Sequence, residues 1–268
     1  MDTVDIIGML PLLTYVVLAV TEKLWPAREF PPRKGWHWIG AGFLILIATV
    51  SVVVPLLIPA AWLQAHRWLD GTRLGVIGGT IVGIVVMEGA IYAWHRTEHN
   101  VGFLWRAFHQ IHHSPRRVDI PGSVLFHPLE MIVQVLLQLL VTVIVIGLDP
   151  LAAAIVAYLV ALFGMFQHWN VATPRWIGYI VQRPESHCVH HRLGVHYYNY
   201  SDLPVWDIVF GTFRNPAKYM GECGFENGAD RRLPAMLAFA DVNAPLYGAG
   251  NLGQKFLPRP PRSLEARG

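Results

Sequence analysis

Residues 74–99 read LGVIGGTIVGIVVMEGAIYAWHRTEH, and this stretch determines which kind of fold the rest of the chain can adopt. Before its first histidine the only charged residue is Glu88, and a run of about 20 mainly apolar residues is what a helix needs to cross a membrane. The stretch ends in His95 and His99, which are four residues apart and so share one helix face. It predicts a membrane helix that carries two imidazoles at its end.

The composition of the whole chain agrees with a membrane protein. Apolar residues make up 53% of the 268 residues and charged residues 15%, against roughly 25% charged in an average soluble domain. The two cysteines exclude a disulfide scaffold and a cysteine-built zinc or iron–sulfur site. Basic loops beside a membrane account for the net charge of +3, so we expect no nucleic-acid partner.

Uncharged or nearly uncharged runs recur along the chain and predict several membrane helices. We expect an all-α, multi-pass membrane protein with about four to five transmembrane helices and a cytoplasmic, histidine-rich helical cap that binds metal, rather than a large soluble bundle. The whole of 1–268 is expected to form one integral-membrane domain, and the proline-containing 256–268 a flexible tail. The predicted membrane segments are 4–24, 37–60, 74–95, 129–148 and 150–169, the last two forming a tight hairpin.

The distribution of basic residues predicts the orientation. Arginines follow the first, third and fifth segments, whereas the hairpin tip carries none. Loops rich in Lys and Arg stay in the cytoplasm, so we expect the histidine side to be cytoplasmic. Arg67 and Arg73, between the second and third segments, are exceptions to this pattern. The membrane is expected to be the cell inner membrane if the source is bacterial and the endoplasmic reticulum if it is eukaryotic.

The histidines concentrate where this topology predicts the cytoplasmic membrane edge. The groups 109–113 (HQIHH) and 187–191 (HCVHH) each place three imidazoles at positions i, i+3 and i+4 of a helix. Pro184-Glu185-Ser186 predicts the start of the helix that carries the second of these groups, and Gly194 its C-terminal cap. His127 begins the hairpin and His168 ends it, so these two lie level with each other. We therefore expect ten histidines to converge as metal ligands: His95, His99, His109, His112, His113, His127, His168, His187, His190 and His191.

So many imidazoles indicate more than one metal ion. A structural zinc site takes four ligands and a catalytic one takes three, so eight to ten fit two ions with several nitrogen ligands each. Imidazole suits iron, copper, nickel and zinc, which leaves the metal open. Zinc hydrolysis would need a general base, for which Glu98 is a candidate, although zinc would not need so many ligands.

The three histidine groups are followed by Asn199-Tyr200-Ser201-Asp202-Leu203 and by Trp206-Asp207-Ile208-Val209-Phe210-Gly211-Thr212-Phe213. With these motifs, roughly residues 85–215 resemble the fatty acid hydroxylase (sterol desaturase) superfamily. Its members are integral-membrane, non-haem diiron oxidoreductases that use dioxygen and external electrons to hydroxylate or desaturate lipids.

The resemblance implies two iron ions and dioxygen as co-substrate. It also implies that the histidines of the three boxes within 85–215, which are His95–His99, His109–His113 and His187–His191 in this chain, are iron ligands. His168, in its His-Trp-Asn setting, matches the family's lone histidine between the second and third boxes. Some hydroxylases carry a histidine pair at that point, which leaves the number of ligands per iron open. His127 has a counterpart in many members, and either binds iron or contacts a ligand.

Polar residues near the boxes are candidates for orienting the rings, because a ligating histidine usually donates its other N–H to a carboxylate or carbonyl. We assign Glu88, Asn199 and Asp202 to the catalytic site. Glu88 lies seven residues before His95 at membrane depth, where an ionisable group indicates function by default. The alternatives are a snorkelling or helix-pairing role for Glu88 and turn or cap roles for the others. Further candidates are Asp119, Glu130, Asn170 and Asp207.

The implied reaction is hydroxylation or desaturation of a lipid such as a sterol, a fatty acyl lipid or a related amphiphile, and we expect hydroxylation. Because the sequence has no Rossmann, flavin or haem motif, electrons should come from a separate donor such as a ferredoxin or cytochrome b5. Two other functions stay open. A bis-histidine haem electron-transfer protein requires isolated histidines on facing helices within the membrane. A metal transporter or store requires polar residues at mid-bilayer in several segments.

Overall fold

A computed structural model describes residues 2–243, and within them the chain is helical, with one isolated antiparallel bridge between Arg192 and Cys223. The expected all-α architecture is confirmed, and the tail predicted at 256–268 lies outside the described residues. The α-helices are α1 (Thr3–Leu24), α2 (Trp36–Leu56), α3 (Ala60–Ala65), α4 (Gly75–Asn100), α5 (Gly102–Leu104), α6 (Gln110–His113), α7 (Ile120–Ser123), α8 (Pro128–Leu139), α9 (Pro150–Phe166), α10 (Pro184–His190), α11 (Pro204–Val209) and α12 (Leu233–Leu237). Shorter 3-10 and π-helical turns occupy Gly71–Leu74, Trp105–His109, Leu140–Val145, Arg175–Tyr179 and Ala229–Arg231.

Four helical stretches of the described chain are long and apolar enough to cross a membrane. They are α1, α2, the continuous stretch Gly71–Asn100 that contains α4, and Pro128–Val145, in which a π-helical turn extends α8. The fifth predicted segment is present as the apolar helix α9, which at 17 residues is shorter than the other four. The chain is therefore an integral membrane protein with the expected number of apolar helices.

Close packing of α4 against α9 sets the histidines of the two helices at one level. Gly79 faces Ala152 and Gly83 faces Val156, so the helices run parallel. An added methyl group at Gly83 would lie 2.8 Å from the Val156 side chain, and small residues of this kind let membrane helices approach closely. His95 lies twelve residues after Gly83 and His168 twelve residues after Val156 (95 minus 83 and 168 minus 156), so the two histidines lie at the same level.

The second and third histidine boxes lie on short helices. The second box runs from the end of the π-helical turn Trp105–His109 through α6. The third box lies on α10, which begins at Pro184 as the sequence predicts. Gly194 was expected to cap this helix, but α10 already ends at His190, and the φ of +72° at Gly194 belongs to the turn beyond it.

The segment after the boxes folds back over them. The short helix α12 lies in this segment, and its Met236 is buried in a cluster with Trp36 and Ile111. Gln110, which lies inside the second box, donates a hydrogen bond to the Ala240 carbonyl. These contacts bury the second box under the last described part of the chain.

Candidate metal centre

Nine of the ten predicted histidines form two compact groups, in each of which one ring nitrogen per residue lies within 4.8 Å of the others. The five-histidine cluster consists of His95, His99, His109, His113 and His190, and the four-histidine cluster of His112, His168, His187 and His191. All of these side chains are buried except that of His95, which is partly buried.

The second and third boxes each contribute to both clusters. In the second box, His109 and His113 belong to the five-histidine cluster and His112 to the four-histidine cluster. The third box is divided the other way, with only His190 in the five-histidine cluster. The rings of His113 and His191 stack with centroids 4.0 Å apart and planes at 11°. The i, i+3, i+4 spacing therefore serves two adjacent centres.

In the five-histidine cluster, the imidazoles arrive from three parts of the chain. The end of α4 supplies His95 and His99, whose ring centroids are 5.0 Å apart. The His95 ring lies 4.5 Å from that of His109 and 4.6 Å from that of His190, centroid to centroid. The His99 ring lies 4.6 Å from that of His113. One nitrogen from each ring is thus close enough to the others for the five to bind one ion.

The four-histidine cluster is built on the end of the membrane hairpin. The Nε2 atoms of His168 and His187 are 3.2 Å apart, a separation that two nitrogens bound to one metal ion would also show. The rings of His112 and His191 are 4.7 Å apart, centroid to centroid. The hairpin therefore brings His168 to the boxes, as the predicted topology indicates.

Burial keeps these imidazoles neutral. Desolvation lowers the pKa well below the usual value for the six cluster histidines of the second and third boxes, which are His109, His112, His113, His187, His190 and His191. A neutral imidazole has a free nitrogen lone pair, which is the form that binds metal.

The ring nitrogens that face the cluster interiors fit a metal pair. Buried nitrogens without a hydrogen-bond partner include Nε2 of His95, His99, His113 and His190, Nδ1 of His112 and His187, and both nitrogens of His109 and His191. Leaving buried polar atoms unpaired costs about 1–3 kcal/mol each. A metal ion bound at the interior of each cluster would satisfy one nitrogen of each surrounding ring.

Backbone carbonyls orient several of the rings. Nδ1 of His95 donates to the Tyr200 carbonyl and Nδ1 of His190 to the Tyr198 carbonyl, both at 2.7 Å. Nδ1 of His168, just beyond the end of α9, donates to the Gly164 carbonyl within that helix at 2.9 Å. These hydrogen bonds leave Nε2 of each ring for the cluster. The sequence gives no signal for them, because every residue has a carbonyl.

Asn199 and Asp207 hold the segment that carries two of these carbonyls. Asn199 has a φ of +52°, in the left-handed region that asparagine tolerates. Its side-chain amide donates to the carbonyls of Ser186 and Arg214, both at 2.9 Å. Asp207 accepts the backbone N–H groups of Tyr200 at 2.9 Å and of the residue after it at 3.0 Å. Both residues therefore position backbone rather than face the clusters.

Glu88 and Asp202 also act on this part of the chain. Oε2 of the fully buried Glu88 accepts the backbone N–H groups of Asp202 at 2.8 Å and Leu203 at 3.1 Å. The side chain of Asp202 accepts from Gln167 at 2.7 Å. The three residues assigned to the catalytic site therefore contact backbone or amide groups, and none of them belongs to either cluster.

His127 lies outside both clusters. It is the N-cap of α8, and its Nδ1 accepts the backbone N–H of Leu129 at 3.1 Å. Its Nε2 lies 3.3 Å from the Leu237 carbonyl. Both ring nitrogens therefore contact backbone groups rather than a cluster.

The other candidate polar residues separate into two kinds. Glu130, with Glu98 and His109, forms a third group of possible ligand atoms, and Oε2 of Glu98 lies 3.5 Å from Nδ1 of His109. Asp119 instead caps α7, and the side-chain amide of Asn170 donates to the Arg28 carbonyl. Glu130 is therefore the candidate of this set that contacts the metal centre region.

His196 is a further histidine near the clusters that is not among the ten predicted ligands. Its Nδ1 lies 3.0 Å from Nδ1 of His113, so it contacts a member of the five-histidine cluster. Its only sequence signal is proximity to the third box, five residues after His191.

Comparison with protein families agrees with this geometry. The model of the fatty acid hydroxylase family matches residues 80–212, which include both clusters. The chain belongs to the fatty acid hydroxylase superfamily. The match begins within α4 and ends at Thr212, close to the boundaries that the resemblance predicts.

Curated relatives of this superfamily member share modest identity. An ornithine lipid hydroxylase, OlsE, of Rhizobium tropici is 28% identical over 67% of this chain and 53% of its own length. A cholesterol 25-hydroxylase-like protein of Danio rerio is 28% identical over 38% of this chain and 40% of its own. A very-long-chain aldehyde decarbonylase, GL1-9, of Oryza sativa is 28% identical over 49% and 53%. The chain thus spans about half the length of these relatives, and no solved structure matches it.

Proposed function

We propose that the chain is a dioxygen-dependent, non-haem diiron oxidoreductase that hydroxylates a C–H bond of a membrane lipid. The observation that carries this proposal is the division of nine imidazoles into two touching clusters. Imidazole is a good ligand for iron, and two adjacent centres suit chemistry that needs more than one electron. Soluble diiron bundles instead use Glu-x-x-His motifs on four helices.

The two clusters are the residues that would hold the two iron ions. When bound, the metal pair supplies the redox chemistry that reduces dioxygen and oxidises a C–H bond. The chain itself provides neutral imidazole ligands, carbonyls that fix the ring orientation, and burial that excludes water. Burial matters because electrostatic interactions at a dry site are stronger than in water.

A lipid substrate follows from the place of the clusters in the fold. They lie at the ends of the apolar helices α4 and α9, so a substrate must bring an apolar chain to a membrane edge. Two of the relatives described above are named as hydroxylases, which favours hydroxylation over desaturation. A sterol, a fatty acyl lipid or a related amphiphile fits this chemistry.

The cytoplasmic orientation and the electron donor are part of the same proposal. Arginines accompany the histidine side of the membrane helices, as expected of a cytoplasmic face. We expect the inner membrane in a bacterium or the endoplasmic reticulum in a eukaryote. A separate carrier of the ferredoxin or cytochrome b5 kind would reach the clusters from that side.

The geometry favours this function over the two alternatives. A bis-histidine haem takes two axial imidazoles, whereas five and four converge here. A transporter needs polar groups available along a path. Glu22 on α1 and Glu88 on α4, two buried carboxylates of the membrane helices, accept backbone N–H groups instead.

Metal analysis of the purified protein and lipid profiling of a strain that lacks it test the proposal together. About two iron atoms per chain and one accumulating lipid are the expected result. A Soret band would instead indicate haem, and metal flux into sealed vesicles would indicate a transporter. Protein that is active with zinc alone would overturn the redox assignment.

A further inference from the structure

The chain between the third box and α11 follows α4 away from the histidines. The Tyr200 carbonyl meets His95 near the end of α4. Two residues later, the backbone N–H of Asp202 meets Glu88, which lies two helical turns earlier on α4. From residue 200 to residue 202 the segment therefore runs along α4 away from the histidines.

Trp206 on α11 contacts α4 still farther from the histidines. Its Nε1 donates to the Val85 carbonyl at 2.9 Å. Its indole ring packs on Gly89, where an added methyl group would lie 2.8 Å from the ring. Val85 lies ten residues before His95 (95 minus 85), which at about 1.5 Å per residue is about 15 Å along the helix.

The contacts of Trp206 lie at membrane depth whatever the position of the bilayer along this helix. The apolar helical stretch covers Gly71–Asn100, 30 residues, of which about 20 are needed to cross the hydrocarbon. Any 20-residue window within it contains residues 81–90, and hence Val85 and Gly89. Because α11 packs beside these residues, it lies at the same depth.

The polar groups of this segment are turned inward, as the membrane requires of non-helical backbone. Glu88 and Asp207 accept four successive backbone N–H groups between them, those of residues 200–203. The Thr212 hydroxyl also donates to Asp207, at 2.6 Å. Glu88, an ionisable residue inside a membrane helix, thereby has a structural reason for its position.

The outward face of α11 is apolar. Exposed side chains are those of Val205 (44%), Ile208 (52%) and Val209 (65%), with Phe210 (53%) directly after the helix. This face continues the exposed apolar surface of α4, on which Ile81 is 59% exposed. We propose that α11 and the segment leading to it form a re-entrant membrane element. Its outward face contacts lipid acyl chains in the membrane leaflet on the side of the histidine clusters.

Hydropathy alone misses this element for two reasons. α11 has six residues, far fewer than a membrane crossing needs. Asp202 and Asp207 flank or interrupt its apolar residues, and only the structure shows that both carboxylates are used inside the protein.

Spin labels on full-length, metal-loaded protein in phospholipid vesicles test the proposal. Single cysteines replace Val209 in one variant and Phe210 in another, and both side chains are exposed enough for the fold to tolerate them. Ile81→Cys on α4 is the lipid-facing control and Glu222→Cys the control for an exposed polar residue. Cys188 and Cys223 are buried, and parent protein treated with the label corrects for any background.

The expected result is that oxygen, which partitions into lipid, relaxes the labels at 209 and 210 several-fold more than a water-soluble nickel complex does, as at 81. Greater access to the nickel complex, as at 222, would place α11 in water and overturn the proposal. Protection from both reagents would mean that protein covers this face, and would overturn it too. The readout does not depend on turnover, so it stands apart from the proposed hydroxylase activity.

Discussion

The five-histidine cluster and the four-histidine cluster use the same two boxes, but different parts of the chain hold them in place. In the four-histidine cluster, His168 lies just after α9 and donates to the carbonyl of Gly164, four residues earlier in that helix. In the five-histidine cluster, His95 and His190 donate to carbonyls of residues 198–200, which are not helical. One cluster therefore depends on a helix end and the other on an irregular segment.

The irregular segment is itself held from two directions. Glu88 holds it from the membrane helix α4, and Asp207 holds it from α11. Backbone in an irregular conformation has no helical hydrogen bonds of its own, so its N–H groups need such acceptors. Substitutions that loosen the segment should consequently affect the five-histidine cluster first, and this difference between the clusters can be measured.

The largest effect is expected from removing one ligand of each cluster. His190→Ala and His112→Ala should each reduce product formation below detection, because each removes a ligand from one of the two clusters. Each variant should also lose about one metal ion per chain while the other cluster keeps its own. Metal analysis and product assays on the two purified variants make the measurement.

His37→Ala is the matched control for these ligand variants, because His37 is exposed and belongs to neither cluster. It should keep full metal content and activity. Wild-type activity in both ligand variants would show that these clusters are not the catalytic centre.

A smaller and more selective effect is expected from Asp207→Asn. The two carboxylate oxygens of Asp207 accept from Tyr200, Ser201 and Thr212, and an amide of the same shape keeps only one acceptor. The Tyr200 carbonyl should then orient His95 less well. Losing such an outer partner typically weakens metal binding by roughly 10- to 100-fold. Metal titration should show this loss at one of two sites.

The exposed Asp70 supplies the control for that variant, since Asp70→Asn changes the same charge far from the clusters. Equal weakening of both metal sites by Asp207→Asn would contradict the separate support of the two clusters.

Glu88→Gln should have a milder effect. Oε2 of Glu88 accepts two N–H groups, and a glutamine keeps one oxygen that can do the same. We expect both metal ions to be retained and turnover to fall by a few-fold, whereas Glu88→Leu, which removes the acceptor, should behave like Asp207→Asn. Metal content and turnover of the pair are compared. Loss of metal from Glu88→Gln would refute this assignment.

The sequence predicted the elements of the fold well because the signals for them are local. Uncharged length located the apolar helices, and Pro184 located the start of α10. The spacing of the boxes predicted which imidazoles share a helix face. None of these inferences needs knowledge of how one helix is rotated against another.

The assignment of each histidine to a cluster could not be predicted in the same way. It depends on the rotation of α6 against α10, and a π-helical turn at Trp105–His109 changes the register just before α6. The sequence also does not indicate which carbonyls orient His95 and His190, because any residue could supply a carbonyl. The role of Glu88 was open for a related reason, since its partners are backbone groups more than 100 residues away.

The smallest effect is expected from His127→Ala, which examines the one predicted ligand that neither cluster includes. Its Nδ1 caps α8 by accepting the Leu129 N–H, and losing a cap of this kind costs about 1 kcal/mol of stability. We therefore expect both metal ions and nearly full turnover to remain, with a small decrease in thermal stability measured on the metal-loaded protein. His127→Asn, which restores a capping acceptor without an imidazole, should recover the stability. If the asparagine variant instead lost metal, His127 would have to be a ligand in a conformation different from this one, and the boundary drawn here between ligands and supporting residues would be in the wrong place.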